Sequence, residues 1–138
     1  METISISTRS REQALDITRQ VQDAVARSGI SSGVVFVCVA HTTAGITINE
    51  NADPDVTSDI MSALAGLVPR TGSWSHVEGN SDAHVKSAVV GQSVTVPVEG
   101  GRLQLGTWQA IYFCEFDGPR QRRAMVQILS SGERRGGV

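Results

Sequence analysis

The sequence predicts an α+β domain: a compact mixed or antiparallel β-sheet with two main helices and one short helix. Three observations carry this. The run Val34 to Ala40 is continuously apolar and valine-rich, helical periodicity is confined to the first two thirds of the chain, and alternating segments divided by Gly and Pro turns fill the rest. Helices that come early and hairpins that come late argue against a doubly wound parallel sheet. The chain of 138 residues suits one domain, residues 1–138, with a core large enough to need no staples.

Each element has a local reason. Thr3 to Ser7 alternates weakly as a strand. Ser10 with Gln13 three residues later forms a capping-box pattern, and Ala14, Ile17, Val21, Ala24 and Val25 then recur at helical spacing, predicting a helix from Arg11 to Ser28 stopped by Gly29. The run from Val34 reads as a central strand covered on both faces, and Ile46 to Glu50 follows it either as a tight hairpin partner or across a connection that is not a tight hairpin. In "DPDV", Asp53 caps a second helix with Pro54 at its first position, and Val56, Ile60, Ala63, Leu64 and Leu67 share a face as far as Pro69. "RTGSWSHVEGNS" has no period and reads as loop. "DAHVKSAVVG" is a short helix, capped by Asn80 or Ser81, with Val85, Ala88 and Val89 inward. Strands follow at Ser93 to Val98, around Leu103 to Leu105, at Trp108 to Phe116 and at Arg123 to Leu129. Pro97 places its strand at an edge or bulge. The tail, residues 131–138, is expected to be mobile.

Composition excludes some functions. The net charge of -2 gives no general attraction to nucleic acid or anionic membranes. No apolar run approaches the roughly 18 residues of a membrane span and the N-terminus lacks a secretory pattern, so a cytoplasmic location is expected. Cys38 and Cys114 stand singly in apolar segments and read as buried small hydrophobes.

Two regions can carry chemistry. His41, His76 and His84 each stand near carboxylates or carboxamides: Glu50 and Asn51 after the first, Glu78, Asn80 and Asp82 between the other two. Neutral imidazoles converging with acids from separate segments can hold a metal, although His76 and His84 match no standard zinc spacing. A tight hairpin would hold His41 and Glu50 some 15–20 Å apart at about 3.3 Å per residue, so one subunit could not bring both to one ion. The second region is "LGTWQAIYFCEFDGPRQRR". Alternation there separates Trp108, Ala110, Tyr112, Cys114 and Phe116 from Gln109, Ile111, Phe113, Glu115 and Asp117. Gln109 and Glu115 on an apolar strand need partners or a pocket. Arg120, Arg122 and Arg123 offer forked contacts to phosphate, against the alternative of a hairpin end salt-bridged to Asp117. Lys86 is a further phosphate contact.

At "HTTAGITINENADPDV", "WSHVEGNSDAHVKSAVVGQSVTVPV" and "GGRLQLGTWQAIYFCEFDGPRQRR" the chain closely resembles the YjbQ-like family, also labelled secondary thiamine-phosphate synthase, over nearly its whole length. The resemblance implies a homotrimer with signature residues gathered near subunit contacts, where a second subunit completes the site. Carried over, His41, Thr42 and Glu50 match the first signature, His76, Asn80 and His84 the second, and Trp108, Gln109, Glu115, Asp117 and Arg120 the third. It implies metal binding through His41, His76 and His84. Catalytic roles fall to His41, Glu50, His84 and Asp117, and substrate contacts to Thr42, Asn80, Gln109 and Arg120, with Lys86 and Arg122 added from the charge reading. The implied activity is thiamine-phosphate synthesis, a transferase reaction joining hydroxymethylpyrimidine diphosphate to thiazole phosphate with loss of pyrophosphate. Zinc on the histidines or magnesium with the diphosphate would be the cofactor. The alternative is a non-catalytic trimer that binds a metal or a small phosphorylated metabolite; a third reading makes the polar residues trimer contacts.

Overall fold

In the computed structural model, which describes residues 1–132, Ile4 and Ile6 bury one side of the first strand, β1 (Glu2–Ser7). The helix expected from Arg11 is split. Gln13–Asp16 forms β2, and the helix α1 runs over Thr18–Ser28. β2 is the partner of β7 (Gln109–Glu115), with Gln13 opposite Glu115 and Asp16 opposite Tyr112. Leaving that side of a buried strand unpaired costs more than four residues of helix propensity can offset. Asp16 then opens α1, its Oδ1 accepting from Thr18 N at 2.9 Å and Thr18 Oγ1 at 2.6 Å. Gly29 closes it at φ 70°, as the sequence indicates.

The valine run is β3 (Gly33–Val39), and β4 is Ala44–Glu50. They are not a hairpin. β3 lies in a five-stranded sheet of order β1-β8-β3-β5-β6, with β5 at Ser93–Glu99, β6 at Arg102–Leu103 and β8 at Gln121–Ser130; β4 lies in a second sheet of order β2-β7-β4. Every pairing is antiparallel. β5 is flanked on one side only by the two-residue β6, which leaves most of it an edge and accommodates Pro97. The two sheets face each other across one core: Ile4, Val35, Val37, Val96 and Val126 meet Ile46, Ile111 and Phe113, and Val21 and Val25 of α1 join them. β3 is therefore covered on one face rather than two, and Val34, Phe36 and Cys38 on the other face stay half-buried.

The outer face of β7 has its own cluster. Ala110, Tyr112, Cys114 and Phe116 pack with Ala83 of α3 (Ser81–Val90) and with Met61 and Leu64 of α2 (Pro54–Leu67), which confirms the alternation read along this strand. Burial pushes the Cys114 thiol up to about 12, as a structural cysteine requires. α2 starts as expected, Asp53 Oδ1 accepting from Asp55 N at 2.9 Å. Its apolar face is only lightly covered: Val56, Ile60 and Leu64 are half-buried and Leu67 is 78% exposed.

α3 reverses the expected orientation. It buries Ser81, Asp82, Ala83, Lys86 and Ser87, while Ala88 and Val89 face solvent and Val85 is half-buried. Polar pairing of Asp82 and Lys86 with Arg11 and Glu12 decides this. Asn80 is the N-cap, without a side-chain capping bond. Ser131 and Gly132 follow β8; the rest of the tail expected to be mobile lies outside the described residues. No helix is long and apolar enough to cross a membrane among the described residues.

β4 passes so close to the end of α3 that a Cβ on Gly45 would meet Gly91 O at 2.9 Å and Val90 Cγ1 at 3.0 Å. Gly45→Ala is therefore expected to cost about 1–3 kcal/mol through overpacking. A lower urea midpoint with unchanged slope is the expected reading; a wild-type midpoint would mean that α3 can move off β4 freely.

Candidate functional site

The polar residues fall into three groups around α3. The first is the histidine pair. His84 stands half-buried on the outward side of α3, and the aperiodic loop before the helix carries His76 to it, with ring centroids 5.5 Å apart and planes at 84°. The rings open on a cleft of about 370 Å³ lined by Trp74, Ser75, His76, Ser81, His84 and Val85. His76 Nε2 lies 3.5 Å from Glu78 Oε2, and Trp74 Nε1 donates to Arg70 O at 3.2 Å, fastening the loop to itself. Ser81 is 8% exposed and its Oγ has no partner.

The second group is the buried side of α3. Arg11 forks onto Asp82, Nη1 to Oδ2 at 3.2 Å and Nη2 to Oδ1 at 3.0 Å, while Lys86 Nζ donates to Asp82 Oδ2 at 2.9 Å and to Glu12 Oε1 at 2.6 Å. Burial works to raise the Asp82 carboxyl, but the hydrogen bonds from Arg11 and Lys86 outweigh it, so the group sits below its ordinary value. Ser87 Oγ donates to Ala44 O at 2.6 Å. Lys86, expected at phosphate, thus directs its ammonium to protein acceptors with 1% of the residue exposed.

The third group lies where β7 turns into β8. Glu115, fully buried, accepts from Thr8 Oγ1 at 2.7 Å and from Arg122 Nε at 2.9 Å, and Arg122 Nη2 also reaches Thr43 Oγ1 at 2.7 Å. Burial pushes this carboxyl up as well, yet Arg122, Thr8 and the Asp117 N–H hold it below the usual range. Arg122, also expected at phosphate, is 5% exposed and engaged. Arg120 follows the salt-bridge alternative: Nη2 and Nε donate to Asp117 Oδ2 and O, each at 2.9 Å. Asn80 Nδ2 donates to the same Asp117 Oδ2 at 2.9 Å, joining this turn to the start of α3.

Asn80, Asp117 and Arg120 therefore come together, as do His76 and His84. His41 stands apart, its Nε2 accepting from Arg123 N at 3.0 Å. Burial, then Arg122 and Arg123, lower its pKa below the ordinary histidine value, which keeps the ring neutral at pH 7. Glu50 ends β4 about 20 Å of strand away from the His41 end, with its carbonyl taking the Tyr112 hydroxyl at 3.1 Å. Thr42 is exposed while its neighbour Thr43 is buried, and Gln109 Oε1 accepts from Gly106 N at 2.7 Å. Among the described residues no three His, Cys, Asp or Glu side chains converge to hold a metal. Sequence reading missed Trp74, Ser81, Arg11, Glu12 and Thr8. Only the closeness of Trp74 and Ser81 to His76 and His84 along the chain offered a signal.

The family described as UPF0047 protein YjbQ-like matches residues 2–131. Among curated relatives, the UPF0047 protein YugU of Bacillus subtilis is 48% identical over 94% of this chain and 98% of its own, and a UPF0047 protein of Methanocaldococcus jannaschii is 50% identical over 90% of each. A crystal structure of an uncharacterized YjbQ/UPF0047 protein from Clostridium acetobutylicum superposes with a TM-score of 0.92 at 52% identity, covering 94% of this chain and 100% of that one. A YbjQ-like protein of unknown function from Sulfolobus solfataricus gives 0.90 at 36%, covering 94% and 96%. These findings correct the expected activity. None of these proteins is described as a thiamine-phosphate synthase, which is a different family, so the expected synthase activity does not hold.

Proposed function

Because the chain belongs to the YjbQ-like UPF0047 family, whose description names no activity, we propose from the geometry that it binds a divalent transition-metal ion through His76 and His84. The pair of rings is the observation that carries this reading. Imidazoles sharing one tetrahedral ion, with metal–nitrogen bonds of about 2.0–2.1 Å, have centroids about 5 Å apart, and the observed 5.5 Å at 84° fits that arrangement. Nitrogen donors suit zinc and its neighbours rather than magnesium, which takes oxygen ligands. Glu78 beside His76 supplies the carboxylate partner that orients a ligating ring.

Two imidazoles make half a site. The proposal completes it in a homotrimer, in which another copy brings further donors, His41 being the remaining imidazole, and covers the apolar surface beside the pair. Val77 in the loop before α3 and Val89 on α3 are 93% and 64% exposed, and another copy would cover them. The bound ion would act as a Lewis acid for an oxygen ligand in the cleft.

Chelator-stripped protein titrated with Co²⁺ tests this through the visible absorption of the bound ion. Saturable binding is expected, weakened at least about 100-fold by His76→Ala or His84→Ala, together with a trimer mass in sedimentation. Unchanged cobalt affinity in the double variant would sink the reading.

A further inference from the structure

The start of α3 carries two adjacent buried polar atoms that nothing among the described residues satisfies, Asn80 Oδ1 and Ser81 Oγ. Asn80 cannot cap the helix, since its amide is drawn to Asp117, and the amide is fixed in that sense because the reverse would set its oxygen against the Asp117 carboxylate. A buried polar group without a partner is destabilising, and native proteins seldom keep such groups without a reason. Ser81 belongs to the wall of the histidine cleft, and its residue is more than nine-tenths buried.

The surroundings define what would satisfy it. A helix N-terminus of ten residues, not capped by its own Asn80, favours negative charge. The carboxylate in that first turn, Asp82, is already countered by Arg11 and Lys86 and does not leave the position acidic. A hydroxyl and two imidazoles offer further donors. The indole of Trp74 and the side chain of Val85 give the same cleft an apolar lining.

We infer that the cleft takes a small organic oxyanion, a carboxylate or phosphate ester, whose head sits at Ser81 and the first turn of α3 and whose apolar body lies on Trp74 and Val85. The inference rests on the same cleft as the metal reading and makes the oxyanion the partner of the ion held by His76 and His84. Its contact with Ser81 does not depend on that ion.

Calorimetry on chelator-stripped full-length protein therefore separates the two. Phenyl phosphate, benzoate and inorganic phosphate are titrated in turn. One of the two aromatic anions is expected to bind saturably at one per chain and more tightly than inorganic phosphate, and which of them does so identifies the head group. Ser81→Ala is expected to lower that affinity about tenfold or more without lowering the unfolding temperature, since it removes an unsatisfied hydroxyl. Val85→Asp, on the half-exposed wall, should abolish binding by charge repulsion. Wild-type affinity in Ser81→Ala, absence of saturable heat with all three anions, or inorganic phosphate binding as tightly as the aromatic anions would overturn the inference. Loss of cobalt binding with anion binding intact would overturn only the metal reading.

Discussion

Replacing Arg122 by Met is expected to remove about 3–5 kcal/mol of stability at neutral pH, because it leaves the Glu115 carboxylate buried and charged with Thr8 as its main side-chain partner. This pair joins β7 of one sheet to β8 of the other, so both sheets are expected to report a single lowered transition in denaturant. The effect depends on pH in a sense that identifies its cause. In the native protein the Glu115 pKa is depressed, so its contribution is present above the ordinary carboxylate pKa and is lost as pH falls through the lower folded value. Without Arg122 burial dominates and raises the folded pKa, so the variant takes up a proton on folding and gains relative stability as pH falls. The gap between the two proteins should narrow on acidification, and Arg122→Met/Glu115→Gln should recover most of the loss. A gap constant from pH 7 to pH 4 would show that lost packing, not the stranded charge, is responsible.

That pair also marks where sequence reading stops. Features set by neighbours in the chain were legible: Asp53 and Pro54 start α2, Gly29 ends α1, and strict alternation along β7 gives Ile111 and Phe113 to one core and Tyr112 and Cys114 to the other. Features set by partners far along the chain were not. Gln13–Asp16 follows helical spacing, yet becomes a strand because β7 requires a neighbour more than ninety residues away. β3 and β4 follow one another in the chain, but their edges pair into different sheets whose apolar faces meet in one core. At the site, histidine and acid cluster along the chain around His76 and His84, whereas the uncharged Trp74 and Ser81 stand out only as their near neighbours in sequence, and it is the fold of the loop over α3 that puts all four on one cleft. Arg122 and Lys86 looked like free cations because their carboxylate partners lie on other elements or on a turn of helix whose orientation was read the other way round.

Asp82→Leu should have an effect of the same size, about 3–5 kcal/mol, since it strips the fork from Arg11 and leaves Lys86, 1% exposed, with Glu12 alone. The reason α3 turns Val89 outward is this anchor: with Asp82 and Lys86 four residues apart on one face and Arg11 and Glu12 meeting them, burying the polar side leaves no stranded charge. The folded pKa of Asp82 is depressed, so the contribution it makes at neutral pH also fades as pH falls below the ordinary carboxylate range. Removing both charges, Asp82→Leu/Lys86→Met, is expected to restore most of the stability, because Arg11 and Glu12 still pair with each other at 3.2 Å. A double-mutant cycle in urea then gives a coupling of roughly 2–3 kcal/mol, at the upper end of what neighbouring residues show. The rescued protein carries a further consequence. With no polar side to hold, α3 is free to favour its apolar face inward, which would carry His84 away from His76, so cobalt affinity should fall even where stability returns. Additive losses in the cycle, with cobalt binding untouched, would mean that the anchor neither stabilises the helix nor sets which side of it faces the cleft.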